Sequence, residues 1–72
     1  MDIRKDNFIR IAERRTNRIL EMIDSLGNLS NKSYYDYTDE QIELIFKAIH
    51  DALREVKLKF NSAKKENKKF KL

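Results

Sequence analysis

Tyr37-Thr38-Asp39-Glu40-Gln41-Ile42 has the form of a helix start, and its position decides how the chain is organised. Thr38 and Gln41 stand three apart, as N-cap and N3 of a capping box. In that motif the hydroxyl accepts the N3 N–H, and the N3 side chain returns to the N-cap N–H. Tyr37 and Ile42 occupy the N′ and N4 positions of a hydrophobic staple. Asp39 and Glu40 put negative charge in the first turn, where the helix dipole favours it. Downstream, Ile42, Ile45, Ile49, Ala52 and Val56 recur at helical spacing as one seam, and Phe46, Leu53 and Phe60 form a second row beside it. These signals predict a helix over about 39–60, with 61–72 as a basic helical extension or tail.

Upstream of the cap, Gly27 stands where a left-handed C′ residue would end an earlier helix. That helix is predicted over about 4–26, with Asp2 or Asp6 as its N-cap. Ile9, Ala12, Thr16, Ile19, Ile23 and Leu26 follow a 3-4-3-4-3 spacing and form a seam that is small in the middle. Each helix has roughly 20 residues or more, about 30 Å at 1.5 Å per residue. A loop over 27–37 is long enough to reverse the chain. The expected fold is therefore all-α, an antiparallel helical hairpin over residues 1–60. The two-row face of the second helix is broader than one partner helix covers, and Ile11 and Met22 lie off the seam of the first. Leftover apolar surface of this kind predicts a homodimer, two hairpins forming a four-helix bundle.

Composition points the same way. A chain of 72 residues buries only about 60% of its unfolded surface, so its stability is marginal without support. There is no cysteine, hence no disulfide or thiolate metal site, and the single histidine, His50, cannot build a metal site alone. Oligomerisation or partner binding is the remaining support. Charged residues make up 39% and hydrophobic residues 40%, but the apolar positions are periodic, which favours a bundle over a disordered tail. No proline and one glycine leave few helix breakers. Met1-Asp2-Ile3-Arg4-Lys5 has no apolar signal core and no stretch is long enough to span a bilayer, so a cytoplasmic protein without a membrane association is expected.

The net charge of +4 is unevenly spread. Residues 28–56 carry three basic and six acidic side chains, whereas residues 57–72 carry seven lysines against Glu66. Such a distribution suits a polyanion, or a tail that steers assembly. On the first helix, Asn7, Arg10, Arg14 and Arg18 fall in a stripe about 80° wide, pointing away from the seam. Arg15 lies at the seam's edge near Ile11 and Met22. Guanidinium forks suit phosphate, and asparagine can read a base edge or bond a phosphate. The alternative is a solvated face held by ion pairs, Arg10 with Asp6 or Glu13 and Arg14 or Arg18 with Glu21. An acidic protein surface is a third candidate. Lys64, Lys65, Lys68 and Lys69 add salt-dependent phosphate affinity in one reading and favourable helix-end charge in the other. Tyr34 and Tyr35 either stack on exposed bases or pack over the end of the bundle. With Ile11, Met22, Phe46, Leu53 and Phe60 they make up the expected interface.

Catalysis finds no support. Ser30, Ser33 and His50 have no triad spacing, Asp36, Asp39, Glu40 and Glu43 are helix-start acids, and no glycine-rich phosphate loop is present. Neither an enzyme nor a cofactor is expected.

Three runs, Arg15-Thr16-Asn17-Arg18-Ile19-Leu20, Leu26-Gly27-Asn28-Leu29-Ser30-Asn31 and Tyr35-Asp36-Tyr37-Thr38, resemble short uncharacterised helical proteins of Gram-positive plasmids, phages and integrative elements. The likeness covers most of residues 8–60. It implies an accessory or regulatory protein of mobile DNA, with inhibitors of host defence among such proteins. The leading expectation is a non-enzymatic protein that binds DNA, RNA or a nucleoprotein complex through the basic helix face. The alternative is a protein-interaction module or inhibitor acting through its exposed apolar and tyrosine surface.

Overall fold

A computed structural model describes the backbone of residues 2–66 and the side chains of residues 2–64. All regular elements among the described residues are helical: α1 over Ile3–Gly27, a single 3-10 turn over Asn28–Ser30, and α2 over Asp39–Glu66. The chain divides into two units, Met1–Asp36 and Tyr37–Leu72, the first built on α1 and the second on α2.

In the first unit, Asp2 is the N-cap. Its extended backbone (φ −89°, ψ 107°) precedes the helix, and its carboxylate accepts the Arg4 N–H at 3.0 Å. Its carbonyl accepts the Asp6 N–H at 3.1 Å, the first bond of the helical ladder. Asp6, the other expected cap, lies inside the first turn, where its charge complements the dipole.

The far end of α1 corrects the expectation for Gly27. Its φ of −59° and ψ of −29° are right-handed helical, and no described residue has positive φ. The backbone does not reverse there. It tightens: the Asn28 N–H donates to the Ser25 and Leu26 carbonyls, and the helical path runs on through Ser30. Asn31 is the residue that ends it, with φ −72° and ψ 104°. Its side-chain Oδ1 accepts the Ser33 N–H at 2.9 Å, and its carbonyl accepts those of Tyr34 at 3.1 Å and Tyr35 at 3.0 Å. A polar side chain competing for backbone donors thus ends the helical path, the role expected of glycine.

In the second unit, the capping box forms in full. The Gln41 N–H donates to Thr38 Oγ1 at 3.1 Å, and the Thr38 N–H donates to Gln41 Oε1 at 2.9 Å. The Thr38 carbonyl accepts the Ile42 N–H at 3.2 Å. Tyr37 and Ile42, at the staple positions, are both half-buried beside exposed neighbours. The helix runs on past 60 to Glu66, the helical one of the two alternatives expected for the start of the basic extension. Residues 61–66 contain neither glycine nor proline, and lysines at the negative end of a helix are favourable. Lys47 Nζ and Asp51 Oδ2 pair at 2.8 Å, an exposed i,i+4 contact that contributes little. Phe46 and His50 stand one turn apart, with ring centroids 6.4 Å apart.

No described residue is fully buried. Ala12, Leu26, Ile42 and Ile49 are half-buried, whereas Ile9, Ile19 and Ile23 on α1 and Ile45, Phe46, Leu53 and Val56 on α2 remain 38–52% exposed. Both seams expected from the sequence therefore lie on their helices as continuous, largely open apolar stripes. No described helix is long and apolar enough to cross a membrane.

Two substitutions test the local account. Thr38→Ala is expected to cost about 1 kcal/mol and Thr38→Gly only a few tenths, read from helix content and urea melts. Gly27→Ala is expected to stabilise by roughly 0.5–1 kcal/mol, because a Cβ there meets nothing within 4 Å and φ is already helical. A left-handed Gly27 would give the opposite sign.

Candidate nucleic-acid interface

The arginine row is a product of the helix period. On α1, Arg10, Arg14 and Arg18 are four apart, so each lies one turn above the last and the row spans about 12 Å along the axis. Asn7 continues it toward the N-terminus, and all four side chains are exposed. Asn7 Oδ1 accepts from Arg10 Nη2 at 3.4 Å, a long bond that orients the guanidinium along the row. None of Arg10, Arg14, Arg15 or Arg18 has an acidic partner within 4 Å among the described residues. The ion pairs with Asp6, Glu13 and Glu21 that would have made this a neutralised face do not form. The Arg4–Asp2 contact, 3.7 Å long and almost fully exposed on the Arg4 side, is of little energetic weight.

The edges of the row differ. Projected at about 100° per residue, Asp6, Glu13 and Asp24 gather on one flank. Glu21 falls in the row's own sector and closes it one turn beyond Arg18. An open depression lined by Asn17, Leu20, Glu21 and Asp24 lies along this acidic flank. The opposite flank carries Arg4, Ile11, Arg15 and Met22. Ile11 is half-buried and Met22 is 67% exposed. The apolar seam of Ile9, Ala12, Ile19 and Ile23 lies roughly half a turn from the row, so the two faces do not compete. In the sequence, Asp6 reads as a helix cap or a pairing partner, and Glu13 and Glu21 as pairing partners. The same angular projection, applied to the acids as a set, reveals the flank.

Tyr34 and Tyr35 belong to the same unit as α1, on the turn that Asn31 organises. Tyr34 is 80% exposed and Tyr35 about half exposed. In the second unit, Phe46, Leu53 and Phe60 line up within roughly 40° of α2's circumference and remain exposed. Lys64 is exposed on α2, whereas the Lys65 side chain, Lys68 and Lys69 lie outside the described residues. Sequence reasoning passed over Phe8, Leu20, Leu44 and Leu58, all exposed large apolar side chains. Phe8 and Leu20 widen the apolar arc of α1, and Leu44 and Leu58 stand on the otherwise polar side of α2.

Chemically, the α1 row offers three guanidiniums and an amide to a line of anionic oxygens. Comparisons of the chain with protein-family models, with curated proteins and with solved structures returned no match.

Proposed function

We propose that the protein is a non-enzymatic accessory or regulatory protein of the cytoplasm that binds nucleic acid, or a nucleoprotein complex, through the basic face of α1. One observation carries this reading: Arg10, Arg14 and Arg18 form an exposed row with no ion-pair partner among the described residues, opposite the apolar seam of the same helix. Like charges at i,i+4 destabilise a helix by a few tenths of a kcal/mol per pair, and a bound polyanion relieves that cost. Lys64 and the lysines after it would add sequence-independent attraction.

The same proposal includes an assembly. The open stripes of α1 and α2 support an antiparallel hairpin in which the helices cover part of each other's seam. They also support a homodimer in which two hairpins cover the rest as a four-helix bundle. Phe46, Leu53 and Phe60 support the second reading too, in which this surface docks on another protein as an interaction module or inhibitor.

Two measurements test these proposals. Changing Arg10, Arg14 and Arg18 together to Glu should abolish binding to DNA and RNA in a gel shift at low salt, and the wild type's affinity should fall steeply with salt. Binding that survives the triple change removes the nucleic-acid reading. Sedimentation should give twice the 8.7 kDa chain mass, and a stable folded monomer across concentration removes the dimer.

A further inference from the structure

Building on the proposal that the α1 row engages nucleic acid, we infer that its ligand is a single-stranded polynucleotide, with phosphates along Arg10, Arg14 and Arg18 and bases turned toward the Ile11, Arg15 and Met22 edge. The asymmetry of the row carries this assignment. A helix lying in a duplex groove about 12 Å wide has a phosphate strand on either side. On α1 one of those strands would run beside Asp6, Glu13 and Asp24, well inside a Debye length of about 8 Å at physiological salt. That flank repels a second backbone. A single strand has the matching asymmetry: phosphates on one side and bases on the other. The row's acidic edge excludes further phosphate, while its other edge offers the open side chain of Met22, half-buried Ile11 and the guanidinium of Arg15 to base faces.

Length agrees with this arrangement. The row, about 12 Å long, spans a few consecutive phosphates of an extended strand. Glu21 then closes the row, so the strand leaves it on the Arg15 side. Tyr34 and Tyr35, in the same unit and held by the Asn31 turn bonds, offer exposed rings to unstacked bases. In a duplex those base faces are already stacked and closed to them.

The test is fluorescence anisotropy at low salt on the full chain. The probes are a fifteen-nucleotide oligothymidylate, the matching oligouridylate and a fifteen-base-pair DNA duplex. The wild type should bind at least one single strand about tenfold or more tighter than the duplex, and the ratio between the two single strands then distinguishes DNA from RNA. Changing Tyr34 and Tyr35 together to Ala should weaken single-strand binding by roughly tenfold and leave duplex binding nearly unchanged. Changing Glu13→Gln and Asp24→Asn together should raise duplex affinity by a larger factor than single-strand affinity. All four positions are exposed, and helix content by circular dichroism checks that each variant folds. Equal or tighter binding to the duplex overturns the single-strand assignment and leaves the nucleic-acid reading standing. So does single-strand affinity indifferent to both tyrosines. Failure to bind any probe overturns both.

Discussion

An α-helix cannot bury its own apolar stripe. Neighbours three and four residues away cover part of each side chain, and the remainder is open to whatever lies alongside. In this chain that limit is visible at Ile9, Ile19 and Ile23 on one helix and at Ile45, Leu53 and Val56 on the other, all substantially exposed. At about 25 cal/mol per Å² of apolar surface, covering such stripes is the largest stabilisation open to so short a chain. The arrangement of charge is tied to this limit. On α1 the arginines stand half a turn from the seam, so a surface that covers the seam leaves them in water, and an anion that engages them leaves the seam free.

The arginine row also has a cost that the helix itself does not recover. Three guanidiniums at successive turns repel one another, and the acids that would offset them, Asp6, Glu13 and Asp24, stand to one side without closing an ion pair. The Asn7 bond to Arg10 supplies orientation and no charge. A helix selected only for stability would interleave the two signs at i,i+4. Segregating them onto adjacent stripes gives up that support and leaves the helix with a basic stripe edged by acids on one side only.

How much of this was legible in the sequence depended on how local each signal was. The capping box of Thr38 and Gln41 was readable because its chemistry lies within four consecutive residues, and both of its bonds are present. The seams were readable because a 3.6-residue period needs only apolar identity. Gly27 misled because glycine permits a left-handed conformation without requiring one. Whether the backbone adopts it is decided by the neighbouring residues, and here Asn31 competes successfully for the next donors along the chain. The sequence leaves open whether the basic stretch after 60 is helix or tail; α2 runs on to Glu66 because Asn61-Ser62-Ala63-Lys64-Lys65-Glu66 carries no stop signal, and weak propensity alone does not end a helix. At the candidate site, the arginine stripe was legible from spacing. Its unpaired state was not, since pairing depends on rotamers that a sequence leaves free.

The caps and turns of this chain share one property: each is closed by hydrogen bonds spanning two to four residues, from Asp2 to Arg4, Asn31 to Ser33 and Thr38 to Gln41. Such bonds form without waiting for distant parts of the polypeptide to meet. Low contact order of this kind places helix formation on a timescale of about 0.1–1 μs, whereas subunit association takes milliseconds to minutes and slows on dilution. Local structure here is thereby set by near neighbours alone. The face that each helix shows is thus written into neighbouring residues, and it does not depend on what lies along the seams.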